Sequence, residues 1–287
     1  MSRMGDVLAG FHAAWEFDSD SVLIRYERGL RTPKLLSALG ERRIPLAAIG
    51  RVTLAPGKRG TVVLHAQPRP GADPLTEAAA GQLKEGCDPY RLVLPAERET
   101  LAEYYADELR DRLTHADAGP AERFLVDAPE VPLSFKAYDG KASFDGSTVR
   151  FRWFWTGASS AKWKAGDQRF AVSELTGVEW RSPEVFEGHL RLLRRDGDEQ
   201  PAQADQDPAT VVFGLGYGPV HESLPFAAAV LAAVRTRGPA AVVTAPSPRR
   251  DPADIAERIR HLGELHRSGL VTDEEFSVKK AELLSEL

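Results

Sequence analysis

The chain has 287 residues, 43% hydrophobic and 28% charged, with a formal charge of −5. That is the composition of a globular protein able to build a core, at a length of about two domains, and the acidic balance argues against a nucleic-acid-coating role, so no nucleic-acid partner is expected. Cys87 is the only cysteine, which excludes an internal disulfide and a cysteine-rich zinc site and suits a reducing compartment. No apolar run approaches the roughly 18 residues of a membrane helix, and Met1–Gly10 does not read as a leader, so a cytoplasmic protein is expected.

Along the chain, five blocks occur twice in the same order. Phe17-Asp18 precedes Val22-Leu23-Ile24-Arg25-Tyr26, and Phe144-Asp145 precedes Val149-Arg150-Phe151-Arg152-Trp153 at the same spacing. Arg43-Ile44-Pro45-Leu46 is answered by Arg169-Phe170-Ala171-Val172, and Gly60–Leu64 by Gly188–Leu192. Asp88-Pro89 opens Tyr90–Leu94, as Asp207-Pro208 opens Ala209–Phe213. Each series closes on a helical stripe, Leu101, Tyr104, Tyr105, Leu109 and Leu113 in the first and Phe226, Val230, Leu231 and Val234 in the second. The order of five blocks implies a tandem duplication.

Period-2 alternation predicts strands within each copy. Val22, Ile24 and Tyr26 share one face; Val149, Phe151, Trp153 and Trp155 share the equivalent one. Turns are expected at Pro56-Gly57, Asp139-Gly140, Asp145-Gly146 and Asp196-Gly197. The Pro- and Gly-rich segment 66–87 and the segment 196–207 lie between the same two matched strands and are expected to be mobile loops. After a Pro/Ala-rich linker, Asp251-Pro252 starts a helix with an N-cap and a first-position proline, and Gly269 ends it. Thr272 and Glu275 form a capping box for a second helix, giving an αα-hairpin.

Two resemblances follow from these residues. Several strands closed by one amphipathic helix in about 110 residues resembles the pleckstrin-homology (PH) layout. Leu262, Leu265, Gly269, Leu270, Val271, Thr272, Glu274, Glu275, Phe276, Lys280, Leu283 and Leu284 resemble the short C-terminal domain, SHOCT. The whole is similar to bacterial domain-of-unknown-function proteins that join such a duplicated region to this tail. The expected fold class is therefore α+β, with two tandem PH-like domains, each an antiparallel sheet or barrel closed by a C-terminal helix, plus the hairpin. The boundaries are 1–114 and 133–238 for the repeats, 115–132 and 239–250 for the linkers, and 251–287 for the hairpin.

Nothing in the chain spells a reaction. The seven histidines are scattered without metal-ligand spacing, and Gly214-Leu215-Gly216-Tyr217-Gly218 lacks the Lys-Ser/Thr of a phosphate loop. No catalytic residue, metal or cofactor is expected. Two basic clusters are candidate anion or partner contacts: Arg25, Arg28, Arg31 and Lys34 in the first copy, and Arg150, Arg152, Lys162 and Lys164 with Trp155 and Trp163 in the second. The PH resemblance implies phosphate contact there in members that bind lipid; a solvated basic face is the competing reading. In the tail, Ile259, Leu262, Leu265, Leu270, Phe276, Leu283 and Leu284 are candidate oligomerisation residues, since some 35 residues without disulfide or metal need a surface to cover. The expected function is a non-enzymatic scaffold that binds a protein or peptide partner and self-associates. The alternative is peripheral attachment to anionic membrane lipid through the basic segments.

Overall fold

The computed structural model describes residues 6–113, 119–195 and 203–237. The candidate oligomerisation residues from Ile259 to Leu284 lie outside them. Residues 1–240 form one compact unit, and within it the two repeats have the same element order except for α2, which has no counterpart among the described residues of the second. The first runs β1 (Asp6–Ala9), β2 (Ala13–Phe17), β3 (Ser21–Tyr26), α1 (Lys34–Leu39), β4 (Glu41–Pro45), β5 (Ile49–Pro56), β6 (Thr61–Pro68), α2 (Pro74–Ala79), β7 (Arg91–Pro95) and α3 (Glu99–Leu113). The second runs β8 (Leu133–Lys136), β9 (Gly140–Phe144), β10 (Thr148–Trp153), α4 (Ser160–Ala165), β11 (Gln168–Ala171), β12 (Leu175–Arg181), β13 (His189–Arg194), β14 (Thr210–Val212) and α5 (Val220–Arg237).

Each repeat builds two antiparallel sheets of its own. They are β1-β2-β3-β4 with β5-β6-β7, and β8-β9-β10-β11 with β12-β13-β14. The alternation of the sequence sets the register: Val22 lies opposite Phe17 and Ile44, and Val149 opposite Phe144 and Phe170, all directed into a core. The repeated Asp-Pro steps have a structural role. Asp88 Oδ1 accepts from Tyr90 N (2.9 Å) while Oδ2 lies 3.1 Å from His65 Nε2. Asp207 Oδ1 accepts from Ala209 N (2.8 Å) while Oδ2 lies 3.3 Å from Arg191 Nε. In both copies one carboxylate oxygen turns the chain into the last strand and the other faces a cation-forming side chain on the neighbouring strand.

Three expectations need correction. Segment 66–87 is folded: residues 66–68 belong to β6, and α2 and a 3₁₀ turn at Glu85–Cys87 follow, joined by short connections. Asp73 caps α2 by accepting from Leu75 N and Thr76 N (3.2 and 3.0 Å), with Pro74 at the first helical position. Its other partner is Arg42 on β4, whose Nη2 donates to Asp73 Oδ1 (2.6 Å) and whose Nε donates to the Tyr90 hydroxyl (3.2 Å), all of them buried. Burial alone would lower the guanidinium pKa, and Tyr90 and Asp73 beside it more than reverse this, so Arg42 stays charged. Of segment 196–207, residues 196–202 lie outside the described residues.

The second correction concerns the cores, which are expected to be separate because each repeat carries its own strand set and closing helix. One gathers around Trp15, Ile24, Leu64, Tyr90 and Leu109 of the first repeat. The other gathers around Phe144, Phe151, Leu190 and Phe226 of the second, but also takes in Leu35 from α1 and Leu75, Ala78 and Ala79 from α2. The cause lies in α5. Its residues 223–230 are all buried, which requires a cover on the face turned away from its own sheet, and α1 and α2 of the first repeat supply it. Gln82 completes the seam like a strand neighbour, donating to Trp180 O and accepting from Ser182 N, each at 2.9 Å. By contrast, α3 buries Tyr105 and Leu109 but leaves Leu101 and Tyr104 of its apolar stripe exposed.

The third is local. The second copy's strand ends at Trp153, so Trp155 does not continue its buried face but stands in the following turn.

Candidate interaction surface

Four connections meet at one end of each repeat. In the first, the turn joining β1 and β2 is tied to β7 by Phe11 N donating to Val93 O (2.7 Å) and to the end of β3 by Glu27 N donating to His12 O (2.8 Å). The tip between β5 and β6 is held beside the end of β7 by Ala96 N donating to Gly60 O (3.1 Å). Arg98, just past β7, donates from Nη1 back to Ala9 O (2.7 Å). Gly10 is required in this turn, because a Cβ there would lie 2.4 Å from Val93 O.

The second repeat has the equivalent ties, reinforced by a buried clamp. Tyr138 N donates to Val212 O (3.0 Å), Phe154 N to Asp139 O (2.9 Å), and Phe213 N to Gly188 O (2.9 Å). The Asp139 carboxylate accepts from Val212 N (3.0 Å) through Oδ1 and from Lys162 Nζ (2.5 Å) through Oδ2, and Nζ lies 5.0 Å from the centre of the Trp153 ring. The pair is inside the fold, with the Lys162 side chain 0% exposed. Burial pushes the Asp139 pKa up and the Lys162 pKa down, against their mutual attraction.

The two ends differ in chemistry. In the second repeat the four connections present Tyr138, Trp155, Phe186 (84% exposed), Leu215 (fully exposed) and Tyr217. Tyr138 and Tyr217 meet edge-on at 6.4 Å, as do Trp155 and Trp163 at 4.9 Å. The glycine-rich run 214–218 is the turn into α5: Gly216 and Gly218 have positive φ, and a Cβ on Gly218 would strike the Phe213 ring at 2.2 Å. In the first repeat the same end presents the cations Arg28, Arg31, Lys58 and Arg59, all exposed, around Leu30 and Phe11.

The sequence-predicted basic residues therefore part company. Arg25 lies on the outward face of β3, 2.5 Å from Glu16 and 3.7 Å from Glu41, and Arg150 lies 3.3 Å from Asp145; such exposed pairs contribute about 0–1 kcal/mol. Arg152 is half-buried on β10. Lys162 is corrected outright from a surface contact to a buried clamp, because the burying α4 turns it inward onto Asp139. Trp163 packs against the second core, while Lys164 is exposed on the same short helix. Arg28, Arg31 and Lys34 are exposed and make no ion pair among the described residues. Sequence reading missed Lys58 and Arg59, which are more than 25 residues from Arg31 and join its end of the repeat only through the pairing of β6 with β7. It also missed Phe186 and Leu215, for which apolar residues in turns, beside Pro183 and Gly188 and within the Gly-rich run 214–218, were the available signal.

Other chemistry is sparse. Among the described residues no group of three or more His, Cys, Asp or Glu side chains is placed to hold a metal ion, and no helix is long and apolar enough to cross a membrane. A shallow cleft of about 440 Å³ lies between α2 and β12, lined by Glu77, Gln82, Val178, Glu179, Trp180 and Arg181 among others, with no serine, cysteine or histidine in its wall.

Comparison with known families agrees with the duplication. The family described as Domain of unknown function (DUF4429) matches residues 15–110 and again 142–231, together more than half of the chain, and the Short C-terminal domain (SHOCT) matches 257–284. No curated protein matches the chain. With both copies in register and the tail following, the chain belongs to the DUF4429 family as a tandem-domain member carrying a C-terminal SHOCT domain.

Proposed function

We propose that the protein is a non-enzymatic interaction scaffold of the cytoplasm. Two PH-like modules present loop ends to a protein or peptide partner, and the C-terminal hairpin promotes self-association. The PH-like reading is supported by the four-plus-three strand layout closed by one helix in each repeat. The observation that carries the functional reading is the aromatic end of the second repeat. Tyr138, Trp155, Phe186, Leu215 and Tyr217 come from four separate loops onto one clamped frame, and Tyr, Trp and Phe anchors of this kind dominate the energetics of protein interfaces. Four of the buried, perturbed ionisable groups, Arg42 with Tyr90 and Lys162 with Asp139, are spent on joining elements, which favours binding over catalysis.

Affinity capture with the full chain, with Phe186→Asp/Leu215→Asp, and with the chain cut after Arg250 tests this reading. A partner retained by the full chain and lost from the double variant is the expected result. A partner set unchanged by the double variant would remove the aromatic end from the account.

A further inference from the structure

The open edge of β12 supports an inference independent of the aromatic end. In the sheet β12-β13-β14, Leu192 N donates to Ala209 O and Gly188 O accepts from Phe213 N, so these alternate residues bond toward β14. His189 and Arg191 therefore bond toward their partners Arg181 and Glu179 on β12. The main-chain groups of Val178, Trp180 and Ser182 are left pointing away from β13, onto the free edge. A side chain already satisfies two of them: the Gln82 amide donates to Trp180 O and accepts from Ser182 N, both at 2.9 Å. Donating to one residue and accepting from the residue two further on is how a parallel strand bonds. Gln82 thus stands in for one residue of an added strand.

Two residues back in that pattern, the next partner would donate to Val178 O and accept from Trp180 N. Neither group has a hydrogen-bond partner among the described residues. Val178 and Trp180 line the cleft of about 440 Å³ between α2 and β12, with Ala78 on the facing wall. The first repeat closes the same position: Val52, which matches Val178 in the duplication, has its carbonyl oxygen bonded by Arg110 Nε of α3 (3.2 Å). Residues 224–234 of α5 hold no polar side chain that could do the same. Unpaired main-chain groups along a sheet edge are a template for another chain. A helix brings its own main-chain groups already paired, whereas an extended segment brings free N–H and C=O at strand spacing, the chemistry that Gln82 supplies here.

We propose that an extended peptide segment of a partner protein adds to the β12 edge beside Gln82. One of its residues donates to Val178 O and accepts from Trp180 N, and its alternate side chains lie against Val178 and Ala78.

Selection on the full chain from displayed random linear peptides of about ten residues, longer than a typical strand, supplies the probe. The expected result is a peptide that binds the full chain and Phe186→Asp/Leu215→Asp equally, and that slows hydrogen exchange at the Trp180 main-chain amide. N-methylation of its backbone should weaken binding about tenfold at alternate residues and leave those between unchanged, because only every second N–H of an edge strand faces its neighbour. Val178→Pro puts a ring carbon in place of an outward N–H, a substitution that edge strands tolerate, and should weaken binding by a similar factor. If that variant does not fold, the N-methyl series and the exchange at Trp180 decide alone. No selectable peptide, an equal response to N-methylation at every position, an unprotected Trp180 amide, or full binding to a folded Val178→Pro would each overturn the proposal. A peptide lost from Phe186→Asp/Leu215→Asp would overturn it too, while leaving the aromatic end standing as a docking site.

Discussion

Leu75 belongs to the first repeat by sequence and to the second core by packing, and that makes it the sharpest probe of how the repeats are joined. It is 0% exposed, sits on α2, and packs in the cluster formed with Phe226, Val230 and Trp180. Truncating a buried leucine to alanine costs about 2–5 kcal/mol, the transfer of the lost methyl groups plus the cavity they leave. In a folded unit of this size each kcal/mol moves the melting temperature by about 2–4 °C, so Leu75→Ala should lower it by at least about 4 °C. Tryptophan fluorescence is a suitable readout because Trp15 is the single tryptophan of the first repeat, while Trp153, Trp155, Trp163 and Trp180 lie in the second. A substitution in the first repeat should thus shift a signal dominated by the second, in one cooperative transition. Two transitions, with only the Trp15-linked one moving, would refute the shared core and restore two independent modules.

The remaining predictions concern the clamp, the acid limb and the tail. Lys162→Met should cost about 3–5 kcal/mol in urea unfolding because it strands the buried Asp139 carboxylate, whereas Lys162→Met/Asp139→Asn should recover most of that loss; a double variant no more stable than the single one would mean the pair is not the clamp. The Asp145 carboxylate is opposed by burial, but hydrogen bonds from Ser147 and Thr148 and the nearby Arg150 hold its pKa below the usual 3.8. The folded state therefore binds this proton less tightly than the unfolded one, and the stabilisation exists above about pH 3.8 and is lost as pH falls through the lower folded value. Asp145→Asn should flatten the stability difference between neutral and acid pH, and an unchanged acid limb would count against the assignment. Light scattering of the full chain, of the chain cut after Arg250 and of Phe276→Asp should find association only in the first; a monomeric full chain at tens of micromolar contradicts a self-associating tail.

The duplication and the strands were legible because both follow from local alternation: Val22, Ile24, Val149 and Phe151 announce their faces within five residues. The role of segment 66–87 was obscured by Pro68, Pro70, Gly71 and Gly81, which read as loop. Yet Asp73-Pro74 is the same cap-and-proline start that marks Asp251-Pro252, and Leu75, Ala78 and Ala79 have helical spacing behind it. The other half of that seam was visible too, since Leu224–Val234 is apolar all round and such a helix must be covered on every side. Lys162 illustrates what periodicity misses. Its fate depends on Asp139, 23 residues away, and on which way a six-residue helix turns, so counting charges along the chain placed it at the surface. The same holds for Lys58 and Arg59, whose neighbours at the loop end are set by sheet pairing rather than by sequence distance.

The central claim is that the aromatic loop end of the second repeat is where a partner docks. Site-specific photocrosslinking in cells tests it most directly, with the photoreactive residue placed in turn at Phe186, at Leu215 and, as a control, at Tyr104 on the exposed face of α3. The account predicts a common adduct at positions 186 and 215 and none at 104; adducts confined to position 104, or none at either loop position, would contradict it.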